Sequence, residues 1–187
     1  RLMAKHVVGL LQRNFTVGDL VGNSSRIEEG VREATAKGAT LVVGSELGLL
    51  GYPPKDLLLN EQFVRDAWSV LEDLAVTIKN EAPLILGTAE RRNSKSGKRL
   101  HNAAVCLSEG RVLEVFRKRL LPTYDVFDEA RYLEAGSSPG ILTLNDWRIG
   151  VTICEDICND KQFWSSPLYE QDPIEDFRRH QLHCILN

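Results

Sequence analysis

The chain has 187 residues, of which 43% are hydrophobic and 26% charged, with a net charge of −3. That is enough chain for a real hydrophobic core, and the balance excludes a disordered or fibrous protein. The slight acidity excludes an electrostatic footprint for nucleic acid, and no apolar run nears the ~20 residues that a membrane span needs.

The start, "RLMAKHVVGL", carries no signal-peptide core with a small-residue cleavage site. The four cysteines lack regular spacing, which reads as reduced thiols of a cytoplasmic protein rather than a disulfide framework. Arg1 precedes Met3, and the chain stops at "CILN", which reads as a strand just begun. We therefore expect part of a longer protein.

In chain order, "HVVGLL" (6–11) reads as a strand. "NSSRIEEGVREATAKG" follows, with a capping box of Ser25 and Glu28, apolar Ile27, Val31 and Ala34 at helical spacing, and Gly38 as the stop. "ATLVVGSE" (39–46) is a second strand, followed by a loop with adjacent prolines, "GYPPKD". From Glu61 to Asn80, Phe63, Val64, Ala67, Val70, Leu71, Leu74 and Ile78 mark one face of a helix. "PLILGTAE" is a third strand and "NSKSGKR" a polar turn. "HNAAVCLSEGRVLEVFRK" reads as two strands around a Glu109-Gly110 turn. "GILTLNDWRIGVTIC" reads as a hairpin turning at Asn145-Asp146, and a helix is expected over about 173–181 before the last apolar run. Strand and helix alternating at both ends, with hairpins between, means an α/β domain with mixed sheets.

Three of these strands end on reactive residues. "LVVGSE" delivers Glu46, "VLEVFRK" delivers Lys118 and "IGVTIC" delivers Cys154. Sites in open α/β sheets gather at the carboxyl ends of strands. A cysteine nucleophile, a carboxylate to take its proton and an ammonium to hold an oxyanion would make coherent chemistry. The same spacing also fits an ordinary α/β protein that ends strands on charged residues. Two acids, Glu155 and Asp156, directly follow Cys154 and make a thiol harder to ionise.

"GSELGLLGYPPKDLLL", "RKRLLPTYDVFDEARYLEAG" and "GVTICEDI", in this order, resemble the carbon–nitrogen hydrolase (nitrilase) superfamily over essentially the whole chain. Through "GYPPKDLLL" and "LLPTYDVFDE" they more closely resemble the amide-hydrolysing domain of glutamine-dependent NAD synthetases. The resemblance implies an αββα sandwich, incomplete at its C-terminus, as the single domain of residues 1–187. It implies a catalytic set of Glu46, Lys118 and Cys154, with Glu129 hydrogen-bonded to Lys118. Tyr52 and Tyr124 would line the pocket, and the backbone N–H of Glu155 would serve as a second oxyanion donor, so that Glu155 need not act through its carboxylate.

The implied activity is hydrolysis of the glutamine side-chain amide through a cysteine thioester. The ammonia would serve ATP-dependent NAD synthesis from deamido-NAD by a downstream domain that is not present. That domain would need ATP and magnesium, whereas this one needs no cofactor and no metal. The implied partners are glutamine and further copies of the chain in a homo-oligomer, with neither nucleic acid nor membrane. The alternatives are a stand-alone amidase of the same superfamily acting on another small amide, and a non-catalytic assembly module.

Some residues depart from the family pattern or carry a blander reading. Cys158 stands where an aromatic is usual, and Ser45 where a proline is frequent. The family's segment that grips the substrate would lie past Asn187. "GSSPG" at 136–140 is a glycine turn without the Lys of a phosphate-binding loop. Cys154, Cys158, His180, His183 and Cys184 have no matching pair spacing for zinc. Cys106 reads as core, Trp68 and Trp147 as packing residues, and "RRH" (178–180) as a solvated helix face.

Overall fold

The computed structural model describes residues 5–187, so the first four residues of the expected leaderless start lie outside it. The chain divides into two compact units, one of Arg1–Ala89 and Val105–Val115, the other of Glu90–Ala104 and Phe116–Asn187. Among the described residues no helix is long and apolar enough to cross a membrane.

In the first unit, β1 (Val8–Leu10), β2 (Leu41–Val43) and β3 (Leu84–Arg91, up to Ala89) run parallel. Parallel neighbours need crossovers, and these are α1 (Leu20–Ala36) and α2 (Glu61–Thr77). Their inward faces bury Ile27, Val31, Leu71 and Leu74, while Leu41, Val42, Leu84 and Leu86 are buried on the strands. Each such side chain contributes about 1.5–3 kcal/mol when removed from water.

Helix α1 begins earlier than the polar "NSS" implies. Asp19 is the N-cap and accepts from Gly22 N at 2.9 Å, so Ser25 and Glu28 lie within the helix and form no capping box. The polar stretch is tolerated because Asn23 is buried but satisfied. Its amide donates to Thr16 O (2.8 Å) and Leu49 O (3.1 Å) and accepts from Thr16 N. Gly38, at φ 90, follows the helix as its stop.

The strands β4 (Leu100–Ser108) and β5 (Arg111–Arg117) complete a sheet of order β1-β2-β3-β4-β5. They join through Glu109 and Gly110, both at positive φ, as a two-residue hairpin turn requires.

The second unit holds a mixed three-stranded sheet. In it β6 (Gly140–Leu144) pairs antiparallel with β7 (Trp147–Val151), and β7 pairs parallel with β8 (Cys184–Leu186). Two short helices complete it, α3 (Glu129–Tyr132) and α4 (Pro173–Phe177). The helix expected over 173–181 stops at Phe177, short of the three basic residues "RRH". The fold is α/β with mixed sheets.

Candidate active site

The reactive residues do not sit on strand ends as such; all three lie beyond them, Glu46 and Cys154 by more than one residue. Strand β2 stops at Val43 and β7 at Val151, and Glu46 and Cys154 occupy the turns that follow. Only Lys118 directly follows its strand. Leu47, directly after Glu46, and Cys154 itself adopt positive φ, which takes the chain out of the extended path of the ladder.

In the first unit, Glu46 is half-buried on a turn whose next residue, Leu47, has φ 49. Gly87 on β3 holds this turn from beneath. Its N–H donates to Ser45 O (3.3 Å) and its carbonyl accepts from Leu49 N (3.2 Å). A Cβ at Gly87 would lie 2.2 Å from Leu47 N and 2.5 Å from Ser45 O, so only glycine permits this approach. Tyr52 is exposed and is followed by a cis bond to Pro53.

In the second unit, Lys118 is fully buried and its ammonium donates to Glu129 Oε1 at 2.7 Å. Glu129 Oε2 also accepts from Asn102 Nδ2 at 3.5 Å. The Lys118 backbone is fixed on both sides, its N–H donating to Asn102 O (2.9 Å) and its carbonyl accepting from Gly136 N (2.7 Å). A buried charge is tolerable only when paired and hydrogen-bonded, and here it is both.

The three cations of "RKR" each meet a different acid. Arg117 forms a forked pair with Glu90, both contacts at 2.5 Å, Lys118 pairs with Glu129, and Arg119 pairs with Asp176 at 2.6 Å.

Cys154 is exposed at φ 47 and opens a single 3₁₀ turn, Cys154–Ile157. The acids after it have separate tasks. Asp156 is 3% exposed and turns inward, where Oδ1 accepts from Arg119 N (2.9 Å) and Leu120 N (2.8 Å) and Oδ2 from Ile153 N (3.0 Å). Burial pushes its carboxyl above the ordinary aspartate range, against the pull of those three N–H groups and the Lys118 charge.

Glu155, also buried, takes one phenol on each carboxylate oxygen, Tyr124 at 2.8 Å and Tyr169 at 3.0 Å. Beside any role of its backbone N–H, Glu155 thus has a side-chain task, as the acceptor for both tyrosines. The hydrogen bond to Glu155 pushes the Tyr124 phenol up to about 12. Tyr169 is pushed up as well, by burial first and then by the same carboxylate.

Cys158 is exposed, its thiol raised by burial and by Glu155, while the Lys118 ammonium pulls it down.

The structure thus brings Lys118 together with Glu129, and Tyr124 with Glu155, in the unit that carries Cys154. Three residues escaped the sequence reading. Tyr169 lies in a loop without periodicity. Buried Asn159 fixes that loop by donating to Tyr169 O (2.9 Å) and Gln171 O (2.6 Å). Asn102 sits near the start of β4, between His101 and the apolar run that follows. Only "CED" carried any signal of an inward-facing acid, and its two carboxylates could not be told apart by spacing.

A family profile described as carbon-nitrogen hydrolase matches residues 7–164. The glutamine-dependent NAD(+) synthetase of Synechocystis sp. is 38% identical over 186 residues, 96% of this chain and 33% of its own length. That of Thermotoga maritima is 39% identical over 153 residues, 81% of this chain and 26% of its own. Among solved structures, the glutamine-dependent NAD+ synthetase from Acinetobacter baumannii, in complex with ADP, superposes with a TM-score of 0.77 at 27% identity. It covers 95% of this chain and 31% of its own. The chain spans about a third or less of the relatives it matches. With the profile matching most of its length, the chain belongs to the carbon-nitrogen hydrolase family.

Proposed function

We propose that the chain is the glutamine-hydrolysing part of a glutamine-dependent NAD synthetase. The observation that carries the hydrolytic reading is Lys118, an ammonium with no solvent exposure, held at 2.7 Å by a carboxylate in the unit that bears an exposed cysteine. A fixed positive charge costs no reorganisation when negative charge develops on a carbonyl oxygen, and it is worth more where water is excluded. Support for glutamine as substrate comes from the names of the relatives.

In this reading Glu46 takes the proton of the Cys154 thiol, and the thiolate attacks the side-chain amide carbon. Lys118, with the backbone N–H of Glu155, holds the tetrahedral oxyanion. Its collapse breaks the carbon–nitrogen bond as Glu46 returns the proton to departing ammonia, leaving a thioester. Water activated by Glu46 then hydrolyses the thioester and frees glutamate and thiol. Glu129 acts through Lys118 by setting its rotamer, and Tyr52 and Tyr124 line the substrate's approach.

Ammonia would then serve a downstream domain that uses ATP and magnesium to amidate deamido-NAD, as a ligase in a cytoplasmic homo-oligomer. The test is Cys154→Ala in the intact protein. NAD formation from glutamine should cease, while formation from supplied ammonia continues. Loss of both activities in a folded variant contradicts the division of labour. A wild-type protein that makes NAD from neither donor moves the reading to a stand-alone amidase.

A further inference from the structure

We propose that Asp156 is the positioning residue of this site, a single buried carboxylate that fastens the backbone next to Lys118 to the backbone next to Cys154. The functional part of this rests on the hydrolase reading above; the structural linkage does not. Arg119 immediately follows Lys118, and Ile153 immediately precedes Cys154. Asp156 Oδ1 takes the N–H groups of Arg119 and Leu120, and Oδ2 takes that of Ile153.

A residue that merely capped the Cys154–Ile157 turn would need only the Ile153 N–H. Two of the three bonds instead reach a segment 36 and 37 residues away in sequence. The reverse bond, Asp156 N–H to Ile153 O at 3.1 Å, closes the turn and stops the carboxylate from swinging. With Asn102 O and Gly136 N holding Lys118 on either side, Asp156 fixes the chain just beyond it. The ammonium and the thiol thus share one reference point. A displacement of about 1 Å between reacting groups costs on the order of 10²-fold in rate, so this anchor acts on turnover rather than on substrate affinity.

The experiment uses Asp156→Asn and Asp156→Ala in the intact protein. Asparagine keeps one acceptor oxygen but turns an NH₂ towards either the Ile153 or the Arg119–Leu120 amides. It should lower kcat for glutamine hydrolysis about 100-fold, with KM within about a factor of two. Alanine should speed hydrogen exchange at Ile153, Arg119 and Leu120 together. A folded Asp156→Asn with normal kcat overturns the proposal, as does Asp156→Ala in which Ile153 alone exchanges faster.

Should neither variant fold, the wild-type chain still decides. The three amide proton resonances should shift with one midpoint as Asp156 takes up a proton, and separate midpoints overturn the linkage. Absence of any wild-type glutamine hydrolysis would sink the functional reading, whereas the exchange and resonance data would still report on the anchor.

Discussion

The turn that presents Glu46 and the turn that presents Cys154 share a plan and differ in their foundations. Each follows a short strand with a parallel neighbour, and each contains one non-glycine residue in the left-handed region, Leu47 at φ 49 and Cys154 at φ 47. The Glu46 turn is held by backbone against backbone across Gly87 and by Leu47, Leu49 and Leu50, all at most 2% exposed. The Cys154 turn rests on side-chain carboxylates, Asp156 inside it and Glu155 between two phenols. The first foundation fails by steric exclusion, the second by loss of a charge or a donor. Substitutions should therefore separate them.

The largest effect is expected at Gly87→Ala. The added carbon meets backbone at 2.2 Å, which cannot yield as a flexible side chain would. We expect a loss of more than about 3 kcal/mol, read as a collapse of the thermal midpoint or of soluble yield. A variant with a normal midpoint would show that the turn can move off β3.

Next comes Lys118→Met. Removing an oxyanion donor should lower amide hydrolysis by about 10²–10³-fold. It also strips the buried Glu129 of its cation, which typically costs about 3–5 kcal/mol, so the single variant should be markedly less stable. The double variant Lys118→Met/Glu129→Gln should regain most of that stability and none of the activity. Recovery of turnover in the double variant would assign Lys118 to folding alone.

A smaller effect is expected at Asn159→Ala. Its amide holds Tyr169 O and Gln171 O, and losing both bonds should cost about 1–3 kcal/mol and loosen Tyr169 from Glu155. Limited proteolysis within 160–171 should report the release, and unchanged cleavage would place the restraint elsewhere.

The smallest effect concerns pH. The Tyr124 phenol has a folded-state pKa raised to about 12 from an ordinary value near 10. A raised pKa means that the folded chain holds the proton more tightly than the unfolded one. The contribution is therefore complete below about pH 10 and is lost as pH climbs towards 12. Ultraviolet difference titration should show late-ionising tyrosine in the wild type. Glu155→Gln should bring that ionisation to lower pH, and Tyr124→Phe should remove one late component. A Glu155→Gln curve that overlays the wild type would mean that Glu155 does not hold the phenol.

The same contrast explains what could be read from the chain before its structure. Helix α2 was legible almost residue by residue, because its apolar face repeats at helical spacing and Asn60 caps it, accepting from Gln62 and Phe63. The hairpin at Glu109-Gly110 was legible from its turn chemistry. The start of α1 was misplaced because Asn23, polar by type, is satisfied inside the fold by Thr16 and Leu49, partners remote in sequence. For the site, the family motifs marked which residues to watch. The division of labour between Glu155 and Asp156 was not legible, since two adjacent carboxylates look alike until one meets N–H groups and the other phenols. Tyr169 depends on a loop pinned by Asn159, a constraint without any periodic signature.

The run Arg117-Lys118-Arg119 has a consequence for ionic strength. Its three cations differ in burial, with side-chain exposures of 44%, 0% and 9%. The Debye length falls from ~10 Å at 0.1 M salt to ~3 Å at 1 M, and screening reaches exposed pairs far more than buried ones. Dissolved salt should therefore weaken the Arg117–Glu90 pair first and reach Lys118–Glu129 last. Three consecutive positive charges thus behave as three separate electrostatic environments, and the innermost is insulated from the medium in which the protein works.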